Sequence, residues 1–153
     1  MAEQETHRSI ELARDGDLHF VATNRRGGTL AIGSGEDADF TPVELLLAAL
    51  AACGAIDLES VTAKRAPFSS FAARADGHKI RDEQGNRMVD LAVTLDVAFP
   101  EGEDGDRARA VLERTVRQVE ERLCTVGRTV HVGDPVRYRL GDLGRQPEDL
   151  TAR

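Results

Sequence analysis

Two cysteines offer the clearest chemistry in this sequence. Cys53 stands in Leu50-Ala51-Ala52-Cys53-Gly54-Ala55 and Cys124 in Arg122-Leu123-Cys124-Thr125-Val126-Gly127, each where an apolar helical stretch meets small residues. A thiolate can be oxidised to a sulfenic acid and can then condense with a second thiol, so the pair invites a redox reading. The competing reading is packing, because free cysteine is among the most buried residue types. His7, His19, His78 and His131 are dispersed, and none has metal-ligand spacing with either cysteine, so no metal is inferred. There is no glycine-rich phosphate loop and no hydrolase nucleophile elbow, which leaves nucleotide and acyl-transfer chemistry, and any cofactor, without support.

The elements that must position these thiols fit a chain of 153 residues, enough for one domain. With 41% hydrophobic and 31% charged residues, a folded core is expected. The net charge of −7 disfavours the clustered cations that nucleic acid demands. The polar, acidic start Met1 to His7 lacks the pattern of a signal peptide, and no run reaches about 18 consecutive apolar residues. The expectation is a cytoplasmic protein with free thiols and no membrane partner.

Ser9–Ala13 and Leu18–Thr23 alternate around the Asp15-Gly16 turn, and Thr29–Ile32 follows the Asn24–Gly28 turn, which predicts an antiparallel meander. Thr41-Pro42-Val43-Glu44 combines a hydroxyl cap, a proline at the first helical position and a glutamate three residues after the cap. The helix it starts runs to about Arg65 and is apolar on nearly every side from Leu45 to Ile56, so it must be buried, and the small chain points to a homodimer to cover it. Residues 68–80 and 88–99 read as a long hairpin around Asp82–Asn86, the second strand placing Val89, Leu91, Val93, Leu95, Val97 and Phe99 on one face. An amphipathic helix is expected over 106–123, with Cys124 at its end, and a last strand over 130–140. The segments 1–7 and 141–153 read as a flexible start and a polar tail around a domain at 8–140.

The run Pro42 to Asp57, followed by Leu123-Cys124-Thr125-Val126, resembles the signature of the OsmC/Ohr superfamily, the osmotically inducible and organic hydroperoxide resistance proteins, and most closely its OsmC-like branch. The order of elements agrees over about residues 8–140. The resemblance implies an α+β fold of antiparallel sheets around a buried central helix, as an intertwined homodimer. It also implies an organic hydroperoxide as substrate, with Cys53 peroxidatic and Cys124 resolving, an external dithiol as reductant, and a role in oxidative stress defence. The rivals on the same fold are a dimeric small-molecule binding protein and a thiol redox sensor.

The supporting groups depart from the family pattern. The glutamate that in this superfamily directly follows the helix-start proline, and orients an activating arginine, is replaced by Val43. Glu44 comes one place later, and nine residues at about 100° each set it half a turn out of phase with Cys53. The arginine is sought among Arg14, Arg25 and Arg26, with Arg128 as another cation near Cys124. Asp57, four residues after Cys53, shares its helical face, where a carboxylate works against a thiolate.

Overall fold

The computed structural model describes residues 6–141; the start and tail expected at 1–7 and 141–153 lie almost entirely outside them. The chain begins as an antiparallel meander of β1 (Ile10–Gly16), β2 (His19–Asn24) and β3 (Thr29–Ile32), in that spatial order. Its second turn is fixed by Asn24, whose Oδ1 accepts the backbone N–H groups of Arg26 and Gly28. Gly27, at φ 86°, supplies the left-handed residue that this turn requires. His19 ties the following loop to the meander: its Nε2 lies 2.6 Å from Asp39 Oδ2 and its Nδ1 lies 3.6 Å from Asp15 Oδ2. The hydrogen bond to Asp39 raises the His19 pKa above its ordinary value; partial desolvation opposes the rise, while the charges of Asp39, Asp37 and Asp15 add to it.

The long helix α1 (Pro42–Thr62) starts on a complete capping box. Thr41 Oγ1 accepts the Glu44 N–H at 3.3 Å, and Glu44 Oε2 accepts the Thr41 N–H at 2.8 Å. These bonds hold the Glu44 carboxyl below its usual range and commit that side chain to the helix end. By length and composition α1 could cross a membrane; in this chain one side of it packs on the second sheet and on the helices that follow. Within one chain its buried stripe is Leu50, Gly54, Leu58 and Thr62, at four-residue spacing. Other apolar side chains stay open, Ile56 at 64% exposure.

β4 (Ser70–Asp82) and β5 (Gly85–Ala98) form the second sheet, a two-stranded antiparallel hairpin. Its register slips between Asp76 and His78, where Gly77 faces two residues, Asp90 and Leu91. Asp90 takes φ 53° to make this bulge. The bulge reverses the alternation, so Val89 pairs with His78 on the face of Asp76 and Ala92, while Leu91, Val93, Leu95 and Val97 keep the other. The sequence expectation of one continuous face from Val89 to Phe99 is corrected on this point.

Helix α2 (Glu103–Gln118) starts three residues earlier than expected, because Glu103 and Asp104 suit a helix N-terminus. It runs into one π-helical turn, Val119–Leu123, and then α3 (Thr125–Val132). The strand expected over 130–140 is therefore corrected: residues 125–132 are helical, Gly133 ends the helix at φ 72°, and 134–141 carry no regular structure. The β-branched residues of Thr125–Val132 favour a strand locally. Against that preference stand the N-cap, where Cys124 Sγ accepts the Gly127 N–H, and the packing of Val126 on the core.

The core has two adjoining parts. One gathers Leu58, Val119 and Cys124, with Cys53, Leu95, Val116 and Val126 against them. The other gathers Ala66, Phe99 and Ala108, bridged to the first by Phe68, Val97 and Leu112. Phe68 stacks on Phe71 and meets Phe99 edge-on at 5.6 Å between ring centres.

Candidate redox site

Cys53 lies a little past the middle of α1, beside the buried stripe, and is half-buried. Cys124 reaches it from the other half of the chain. The π-turn closes with the Cys124 N–H donating to the Val119 carbonyl at 3.0 Å, which ends the run of α2. Cys124 then adopts an extended backbone, ψ 102°, and becomes the N-cap of α3. Its sulfur accepts the Gly127 N–H at 3.2 Å, as a hydroxyl or carboxylate does at an ordinary N-cap. A Cβ at position 127 would stand 3.3 Å from that sulfur, so glycine leaves the approach unhindered.

The two sulfurs and a carboxylate oxygen of Asp57 all lie within 4.8 Å of one another. The Cys53 thiol donates to Asp57 Oδ2 at 3.9 Å, one helical turn along. Both cysteines are free thiols. Burial pushes the Cys124 pKa up; the Gly127 N–H opposes this, and the Cys53 sulfur and Asp57 carboxylate add to the rise. Cys124 is only 6% exposed.

A cavity of about 680 Å³ opens beside Cys124, while Cys53 and Asp57 lie behind that residue and do not line it. Leu50, Gly54, Leu91, Leu95 and Val116 form apolar walls, Cys124 lies on its surface, and Arg128 and His131 of α3 bring the positive or ionisable groups. Glu120 and Glu121 of the π-turn line it too.

Of the residues singled out in the sequence, the fold gathers Cys53, Cys124 and Asp57. Arg128 joins Cys124 at the cavity. Glu44 stays at its cap, as its phase relative to Cys53 requires, and Arg26 sits exposed in the β2–β3 turn; neither lines the cavity. Sequence reasoning missed Gly127 as the hydrogen-bond donor to a thiol. The signal was present as a glycine three residues after a helix-capping cysteine.

The family model described as OsmC-like protein matches residues 34–139 of the chain. An uncharacterized protein of Mycobacterium tuberculosis is 32% identical over 134 residues, covering 86% of this chain and 94% of that one. Among solved structures, the OsmC-like protein of unknown function from Vibrio cholerae superposes with a TM-score of 0.70 at 16% identity, covering 81% of this chain and 93% of its own. The organic hydroperoxide resistance protein OhrB of Bacillus subtilis gives a TM-score of 0.50 at 19% identity, covering 79% and 90%. These likenesses show a shared fold.

Proposed function

This chain belongs to the OsmC-like protein family, and we propose that it works there as a thiol-dependent peroxidase that reduces organic hydroperoxides. One observation carries the reading: residues 71 positions apart in sequence bring their sulfurs within 4.8 Å, beside an apolar cavity. Two cysteines placed only to fill a core have no need to meet. The name of the Bacillus subtilis neighbour, an organic hydroperoxide resistance protein, supports the choice of substrate class.

In the proposed cycle the Cys53 thiol gives up its proton to solvent, and the thiolate attacks the outer peroxide oxygen. The O–O bond breaks, the alkoxide takes up a proton and leaves as the alcohol, and Cys53 becomes a sulfenic acid. The neighbouring Cys124 thiol then condenses with it: an S–S bond forms and water leaves. An external dithiol reduces the disulfide by exchange. Apolar walls favour an alkyl group, while Arg128 and His131 suit a polar end. A cytoplasmic setting, where thiols are kept reduced, fits this cycle.

We assign the active form to an intertwined homodimer. Among the described residues, no strand of the first sheet makes more than marginal contact with the helices or the hairpin of its own chain. Ile10 and Leu12 of β1, 62% and 55% exposed, and Ile56 of α1 offer apolar surface for a second copy to cover. A redox sensor on the same site is the second reading, favoured by Asp57, whose carboxylate lies beside both thiols. Stopped-flow oxidation with tert-butyl hydroperoxide and hydrogen peroxide in parallel, followed by free-thiol counting, separates the two. Multiple turnovers with dithiothreitol, faster for the organic peroxide, are expected. Thiols that survive an excess of either peroxide would remove the peroxidase reading.

A further inference from the structure

The dispersal of the ionisable groups along the sequence conceals a three-donor cluster: Cys53 Sγ, Cys124 Sγ and a carboxylate oxygen of Asp57, mutually within 4.8 Å. We propose that the reduced protein binds one thiophilic divalent cation, of which Zn²⁺ is the type, through Cys53, Cys124 and Asp57.

The donor set selects the metal. Two sulfurs exclude the hard cations Mg²⁺ and Ca²⁺, and a mixed sulfur and oxygen set suits Zn²⁺. With Zn–S near 2.3 Å and Zn–O near 2.1 Å, a tetrahedral ion sets its two sulfurs about 3.8 Å apart and each sulfur about 3.6 Å from the oxygen. The observed 3.9 Å between Cys53 Sγ and Asp57 Oδ2 needs about 0.3 Å of contraction to reach these values, and the 4.8 Å limit on the whole cluster holds the other pairs to at most about 1.2 Å. Three protein ligands leave the fourth position to water.

The surroundings meet the remaining requirements of such a site. Cys53 and Asp57 are held at fixed spacing by one helical turn, and Cys124 is fixed by the cap of α3. The Gly127 N–H already donates to the Cys124 sulfur, the outer bond that orients a thiolate ligand. The cavity on which Cys124 lies gives an ion a route in from solvent. Binding releases two protons to solvent, one from each thiol, and the carboxylate with the two thiolates then leaves one net negative charge around the cation. The site stands on geometry alone. Its consequence, that a bound ion withholds both sulfurs from peroxide, rests on the proposed peroxidase reading.

The test titrates the full-length reduced protein with CoCl₂ and ZnCl₂. Expected are one Co²⁺ per chain, with the ultraviolet sulfur-to-cobalt charge-transfer band and the visible bands of a tetrahedral ion, and displacement of Co²⁺ by Zn²⁺. Protein carrying the Cys53–Cys124 disulfide, the same polypeptide in its own fold, should bind none. Cys53→Ser or Cys124→Ser should lose the band, and Asp57→Ala should weaken binding by at least the roughly 10–100-fold that loss of an outer partner alone costs. Absence of the band overturns the proposal. Binding that survives in Cys53→Ser but disappears in His19→Gln, whose ring lies beside Asp37 and Asp39, would overturn it equally by moving the ion elsewhere. Zinc binding together with no peroxide turnover by the metal-free protein would sink the peroxidase reading and leave the metal site, and turnover without zinc binding would do the reverse.

Discussion

Oxidation by a single equivalent of hydroperoxide should raise the stability of this protein, and by an amount set by chain topology. The disulfide proposed between Cys53 and Cys124 closes a loop of about 70 residues (124 − 53 = 71) that holds β4, β5 and α2. The chain-entropy relation gives about 4.4 kcal/mol for a loop of that length at 25 °C. Native strain reduces this: the sulfurs must close from within 4.8 Å to about 2.05 Å, and Cys53 is on a helix that cannot bend freely. Cys124, at the joint between the π-turn and α3, is the side that can move, and closure costs its sulfur the bond from Gly127 and Cys53 the bond to Asp57. A net gain of about 2–4 kcal/mol should remain, or roughly 5–15 °C in Tm for a chain of this size. Scanning calorimetry of reduced and oxidised protein at one protein concentration measures it, because the midpoint of a dimer depends on concentration. Intact mass, lower by about 2 Da without a covalent dimer, must accompany the shift. An oxidised protein with that mass and an unchanged midpoint would mean that the loop-closure argument is wrong. A bridge between chains would mean that the sulfurs meeting within one chain are not the pair that reacts.

Replacing Cys53 by Ser should abolish peroxide consumption and keep the fold, while Cys124→Ser should allow one oxidation per chain and stop there; near-normal turnover by Cys53→Ser would misplace the nucleophile. Because His19 titrates above its ordinary 6.5 in the folded chain, its tie to Asp39 contributes fully below about that pH and is lost as pH rises through the higher folded value. The midpoint difference between the wild type and His19→Gln should accordingly shrink from pH 6 to pH 9, and a difference that grew would reverse the assignment. Multi-angle light scattering at micromolar concentration should give a mass of two chains; a stable folded monomer would contradict the intertwined assembly. Gly105→Ala should cost about 1–3 kcal/mol in urea unfolding, since a Cβ there overlaps the Pro100 carbonyl oxygen, and a neutral result would show that the start of α2 yields easily.

Where local chemistry determines local structure, the sequence could be read closely. The capping box at Thr41 and Glu44, the turn at Asn24–Gly28 and the long hairpin are all settled by neighbours a few residues apart. The errors arose where a contact distant in sequence or a backbone device overrides propensity. Val126 packs against the core, and Cys124 caps α3, so Thr125–Val132 is helical despite its Thr and Val content. The bulge at Asp90 turns on a single residue with positive φ, and alternation counted along β5 cannot register it. The π-turn is hidden too: Leu112, Val116, Val119 and Leu123 continue a helical spacing straight through it.

The candidate site divides along the same line. That Cys53 and Asp57 share a face follows from a four-residue step on a helix, and that Glu44 faces elsewhere follows from nine. No spacing rule could bring Cys124 to them, because 71 intervening residues carry no distance; only the family resemblance suggested the meeting. What neither route supplied is the balance of charge. The family pattern expects a glutamate-held arginine beside the thiol, yet position 43 is valine and Glu44 is spent on its cap. The charge within hydrogen-bonding distance of Cys53 is instead the Asp57 carboxylate, with Arg128 and His131 across the cavity from α3. A thiol pair with a carboxylate beside it, and Arg128 on the neighbouring cavity, is poised less for the fastest peroxide chemistry than for a thiolate whose charge something else must neutralise. A peroxide's polar end drawn to Arg128, a second chain, or a bound cation could each do so. Measuring oxidation rates with and without Zn²⁺, in wild type and Asp57→Asn, would discriminate among these. If the carboxylate is the obstacle, its removal should speed the first oxidation and weaken zinc inhibition together, and a variant that moved only one of them would separate the two roles of Asp57.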